Sequence, residues 1–172
     1  MDPSDEVVIS WRHEKQHKDI FSHEEIDSFL SSAETLRDRA LFELIYSSGL
    51  RVSEVCNLII TDLDFHERML LVQDGKGGKD RFVPYSQTAA YFLDKYVKKE
   101  REKLLLRNRS DKLFVSNRGQ GLRPVSVTYL FRKMLSKAGL VPVRSFLFTA
   151  YATLQQHIFW RPELMFVMYR NF

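Results

Sequence analysis

Arg37-Asp38-Arg39-Ala40-Leu41 opens a stretch that runs to Tyr46-Ser47-Ser48-Gly49, and Leu50-Arg51-Val52-Ser53-Glu54-Val55 follows without a gap. Leu36, Ala40, Leu41, Leu44 and Ile45 recur at helical spacing, which predicts a helix from about Thr35 with one apolar stripe. Gly49 ends it, because a glycine accepts the left-handed conformation that a helix C-cap requires. A second, short helix is predicted from about Val52 to Leu58, which leaves Arg51 on the tight turn between the two. A guanidinium placed there can offer two parallel donors to a pair of phosphate oxygens, and Glu54, three residues on, is spaced to orient it. By itself such an arginine is as readily a helix cap in a surface ion pair.

Upstream, Ser22 and Glu25 have capping-box spacing, and Ile26, Phe29 and Leu30 make an apolar face, so a further short helix precedes. Residues 1–19 are mostly polar without a sustained period and read as an arm or linker stump. Downstream, Leu70-Leu71-Val72 and Arg81-Phe82-Val83-Pro84 are two β-prone runs on either side of Asp74-Gly75-Lys76-Gly77-Gly78-Lys79-Asp80. That pattern predicts a glycine-tipped hairpin. Helical signals return from about Gln87 to Leu106, where the mixed-sign run from Lys98 to Lys103 reads as an exposed face. A turn at Asn117-Arg118-Gly119-Gln120-Gly121 follows, and a last helix is predicted from about Val125 to Ala138. The fold class is mainly α with a small β-hairpin or sheet.

A chain of 172 residues with 44% apolar composition is long enough for one domain with a buried core. Its 26 Lys and Arg against 22 Asp and Glu leave a net charge of +4, which permits a polyanionic partner without requiring one. The one cysteine, Cys56, has no partner for an internal disulfide and sits in an apolar pattern, so a reduced interior is expected. Nothing resembles a leader or a span of roughly 20 apolar residues, and the histidines lack metal-ligand spacing. No membrane association, metal or cofactor is predicted, and the expected location is cytoplasmic.

The stretch from Arg37 to Val55, with Leu58 and Asp62, resembles the first conserved box of the tyrosine recombinases, the Xer-like branch of the phage integrase family. Asp74 to Pro84 is similar to the second box, and Leu113-Phe114-Val115-Ser116 with Lys137-Ala138-Gly139-Leu140 extends the resemblance. It implies that residues 20–140 form a partial recombinase catalytic domain acting on double-stranded DNA, in a family that assembles as DNA-bound tetramers. Arg51 then matches the arginine that grips the scissile phosphate, with Glu54 supporting it, and Lys76 matches the hairpin lysine that protonates the 5′-oxygen leaving group. Lys79 and Arg81 would hold phosphates, and Arg123 and Arg132 contact the DNA backbone or form a solvated basic face.

The resemblance stops at Leu140. Family members continue with a His-x-x-Arg box and end on the tyrosine that attacks phosphorus; here Val141-Pro142-Val143-Arg144-Ser145-Phe146 leads into an aromatic-rich tail. Rebuilding each codon from the last base of one residue and the first two of the next forces leucine at Phe159/Trp160 and valine at Met165/Phe166 and Met168/Tyr169. From Phe148 the other junctions permit H-S-L-R-H-T-S-A-T-H-L-L-E-T-G-T-D-V-R-N-V-Q-E-L, which supplies the absent box. A frame change near residues 141–148 is therefore expected, with 141–172 an aberrant tail. Tyr151 and Tyr169 lack the context of the family nucleophile, and nothing of the family's clamp domain is seen before residue 20. The expectation is a DNA-binding fragment unable to cleave; the alternatives are a non-catalytic DNA-binding protein and a non-functional gene remnant.

Overall fold

The computed structural model describes residues 21–73, 80–106 and 108–140. The arm at 1–19, Lys76 and Lys79 in the hairpin loop, and the tail at 141–172 lie outside the described residues.

The first helix, α1 (His23–Ser31), starts on the expected capping box: Ser22 Oγ accepts from the Glu25 N–H, and the Glu25 carboxylate accepts from the Ser22 N–H at 2.8 Å. Ile26, Phe29 and Leu30 are its buried face. Helix α2 (Leu36–Ser48) is capped by Thr35, whose hydroxyl accepts from the Asp38 N–H. It ends at Gly49, which takes φ 66° and returns its N–H to the Ile45 carbonyl. Ala40, Leu41 and Leu44 have no solvent exposure, so α2 is the central helix of the core. Helix α3 (Val52–Asn57) buries Val55 and Cys56, and burial pushes the Cys56 thiol up to about 11, so it stays protonated at neutral pH.

A single 3₁₀ turn at Ile60–Asp62 leads into an antiparallel sheet of three strands, β1 (Leu63–Asp64), β2 (Met69–Val72) and β3 (Arg81–Pro84), in that order. The expected hairpin is the β2–β3 pair, with Val72 opposite Arg81 and Leu70 opposite Val83. Alternate residues Leu70 and Val72 point into the core while Phe82 stays exposed. The short strand β1, paired through Leu63 and Leu70, is an addition to the two-strand reading.

Where one helix was expected from Gln87 to Leu106, the chain forms α4 (Gln87–Tyr96), a π turn at Val97–Arg101 and α5 (Glu102–Leu105). The extra residue in a π turn changes which side chains face inward. Arg101 is consequently buried, contrary to the exposed face read from the mixed charges. Its guanidinium donates to the Ser110, Lys112 and Leu113 carbonyls. Helix α6 (Pro124–Lys137) closes the domain, with proline at its first turn and Gly139 at φ 70° beyond its end. Phe29, Phe42 and Phe131 meet at centroid distances of 5.2 to 6.0 Å and bind α1, α2 and α6 into one core. Among the described residues no helix is long and apolar enough to cross a membrane.

Candidate nucleic-acid interface

Arg51 is the N-cap of α3, in extended conformation two residues after the left-handed Gly49. An arginine carries no acceptor, so only the returning half of a capping box forms, and Glu54 makes it: its Oε2 accepts the Arg51 N–H at 2.9 Å. Glu54 Oε1 accepts from Arg51 Nη1, also at 2.9 Å. One carboxylate thus fixes both the backbone and the side chain of Arg51.

The same carboxylate has a third donor. Arg81, the first residue of β3, places Nη2 2.9 Å from Glu54 Oε2. The Glu54 side chain is 9% exposed, while those of Arg51 and Arg81 are 47% and 39% exposed, so two solvent-facing cations share a covered anion. Burial pushes the Glu54 carboxyl up, but the Arg81 hydrogen bond, the Arg51 N–H and the charges of both arginines outweigh it and hold the group below the ordinary carboxylate range.

Both roots of the hairpin loop are tied to the helical body. On the outgoing side, Gln73 Nε2 donates to Asp62 Oδ1 at 2.7 Å, and Asp62 Oδ2 accepts the Ile59 N–H. On the returning side, Arg81 reaches Glu54. Neither link was read from the sequence, because each joins residues that only the folded sheet brings together. The 27-residue separation between Arg81 and Glu54 carries no local signal.

Arg123 is exposed at the N-cap of α6, where it lines a cavity of about 360 Å³ with Ser53 and Asn57 of α3 and with Lys112. It also edges an open groove of about 470 Å³ with Arg37, Arg118, Gln120 and Tyr129. Arg37 is a floor residue: it is buried and donates to Asp38, the Val115 carbonyl and Asn117. Arg132 is exposed further along α6, three residues after the exposed Tyr129. The structure therefore brings Arg51, Glu54 and Arg81 into contact and sets Arg123 against α3, whereas Arg132 occupies a separate part of α6.

This helical core with its three-stranded antiparallel sheet has the catalytic-core fold of the tyrosine recombinases. It superimposes on the crystal structure of XerA recombinase with TM-score 0.69 and 27% identity, over 81% of this chain and 50% of that one. The chain belongs to the phage integrase family, whose model matches residues 19–150. Tyrosine recombinase XerA of Pyrococcus horikoshii is 39% identical over 122 residues, 69% of this chain and 41% of the relative. The fold is shared with XerH site-specific recombinase bound to its difH substrate, at TM-score 0.64 and 24% identity, over 80% of this chain and 42% of that one. The chain thus spans less than half the length of the XerA relative.

Proposed function

We propose that the domain at residues 20–140 is the DNA-binding part of a site-specific tyrosine recombinase, working in the cytoplasm, and that Arg51 grips a backbone phosphate of duplex DNA. The observation that carries this is the half-exposed guanidinium of Arg51 held from both ends by Glu54. A donor fixed before its ligand arrives loses little freedom on binding, which is how preorganised groups stabilise charge developing on phosphorus. Lys76, on the loop between Gln73 and Asp80, is assigned the protonation of the 5′-oxygen leaving group through its match to the family's hairpin lysine. Lys79, Arg123 and Arg132 are assigned to the flanking backbone, where they add affinity without reading sequence.

The printed sequence from Val141 to Phe172 contains no His-x-x-Arg box and no tyrosine in family context. We assign it as an aberrant tail, and 1–19 as an arm. Arg51 and Lys76 can stabilise a transferring phosphate but supply no attacking group, so this chain binds DNA without cutting it. The DNA-bound tetramer that the resemblance implies is part of the same proposal.

Fluorescence anisotropy with a duplex of arbitrary sequence across a salt series is the test. Weak binding whose logarithm falls linearly with the logarithm of salt concentration is expected, the slope measuring the phosphates contacted. Replacing Arg51 by Met should flatten that slope by about 0.9. Absence of binding at low salt would remove the proposal.

A further inference from the structure

We infer that Arg81 is a positioning residue, a latch that acts on DNA through Glu54 and Arg51 and fastens the returning strand of the hairpin to the phosphate-gripping arginine. This rests on the reading of Arg51 as a phosphate ligand and deepens it. The sequence suggested a different task, a direct phosphate contact, because Arg81 follows a basic glycine loop. In the folded chain Nη2 of Arg81 is instead 2.9 Å from the Glu54 carboxylate, on the oxygen that also accepts the Arg51 N–H.

The physical case begins with the carboxylate. Glu54 is largely covered, and a covered carboxylate with one cationic partner is poorly compensated for lost hydration. Arg81 supplies the second cation, and its hydrogen bond is the largest contribution holding the Glu54 carboxyl down against burial. An ionised Glu54 accepts from both the backbone and the guanidinium of Arg51; a protonated one would keep fewer acceptor sites and lose the attraction. Arg81 therefore maintains the charge state on which the orientation of Arg51 depends.

The second part is geometric. Arg81 is the first residue of β3 and pairs in register with Val72, the last residue of β2. With Gln73 tied to Asp62 on the other root, the loop that carries Lys76 springs from two fixed points. One of those points shares an oxygen with Arg51. A two-cation latch on one carboxylate thus sets the arginine and the root of the lysine loop in a common frame, a positional requirement that any two-group phosphate site imposes.

A double-mutant cycle on the full chain separates a latch from a ligand. Affinity for a fluorescein-labelled duplex is measured by anisotropy over a salt series for the wild type, Arg81→Met, Arg51→Met and the double variant. A latch predicts that Arg81→Met weakens binding by roughly threefold to tenfold in the wild type and has no further effect in the Arg51→Met background. A direct phosphate contact predicts equal losses in both backgrounds, each with a slope reduced by about 0.9, and that result would overturn the inference. The DNA-free readout is the Glu54 side-chain carboxyl, followed by carbon NMR against pH. Its midpoint should rise in Arg81→Met and return toward the wild-type value in Arg81→Lys, which keeps a cation at the strand start and perturbs folding least. An unchanged midpoint in both variants would sink the latch. If the chain fails to bind DNA at all, the phosphate-ligand reading falls, while the Glu54 titration still decides whether Arg81 latches.

Discussion

At the scale of single residues, two positions show how local chemistry sets up the site. Gly49 takes φ 66° at the end of α2, and Arg51 starts α3 two residues later, so the direction in which Arg51 leaves the core depends on that left-handed turn. Gly49→Ala forces a Cβ into a conformation that side chains disfavour and should cost about 1 kcal/mol of stability in urea denaturation. Glu54 makes a pH prediction. Its carboxyl is held below the ordinary range in the folded chain, so its contribution to stability is complete above the unfolded value and is lost as pH falls through the depressed folded one. Glu54→Gln should abolish that part of the acid dependence, and denaturation midpoints compared from pH 7 down to pH 3 would reveal it. Gly49 and the Ser22–Glu25 capping box were legible in the sequence because each feature closes within a turn of helix. Arg51 and Glu54 were legible for the same reason, being one helical turn apart. The link from Arg81 to Glu54 was not, since its partner is chosen by strand register and not by spacing along the chain.

The elements differ in how openly they announce themselves. Helices α1, α2 and α6 follow their apolar period and end on the residues expected to end them, so their existence was readable. The segment after α4 was misread as one continuous helix with an exposed charged face, because periodicity assumes a constant number of residues per turn. The π turn at Val97–Arg101 breaks that assumption and carries Arg101 inward, where it donates to three backbone carbonyls between Ser110 and Leu113. Those carbonyls precede the buried Leu113-Phe114-Val115 segment that sits beneath the 116–120 turn and leads to Arg123. Arg101→Met keeps most of the stem but strands buried acceptors, and should destabilise the domain by about 2 to 4 kcal/mol in chemical denaturation. Arg101→Lys should recover little, because an ammonium has no planar fork to reach several carbonyls together. The aromatic contact among Phe29, Phe42 and Phe131 gives a second measure of coupling between elements. Phe131→Ala should cost about 3 to 5 kcal/mol by opening a cavity between α1, α2 and α6.

For the whole molecule the question is what a domain can do when it can hold a phosphate and has no group with which to attack it. Covalent strand transfer splits one exchange into two steps through the nucleophile, so removing the nucleophile abolishes cleavage, however well the remaining groups stabilise charge. The chain should therefore form no covalent adduct with a nicked duplex substrate, as read on a denaturing gel, even at concentrations where anisotropy shows it bound. The sequence after Leu140 supplies the complementary arm of the experiment. Read one frame over from Phe148, it permits H-S-L-R and the helix-like string that follows, with leucine and valine forced at the three junctions that allow no choice. Restoring that frame in the gene and extending it to the next in-frame stop should return the His-x-x-Arg box and the attacking tyrosine together. Adduct should then appear on the gel at high DNA concentration, since positioning supplies much of the rate in such transfers. It should vanish again on Arg51→Met. A DNA-linked band from the unaltered chain, lost on Tyr151→Phe or Tyr169→Phe, would show instead that the tail carries a nucleophile of its own.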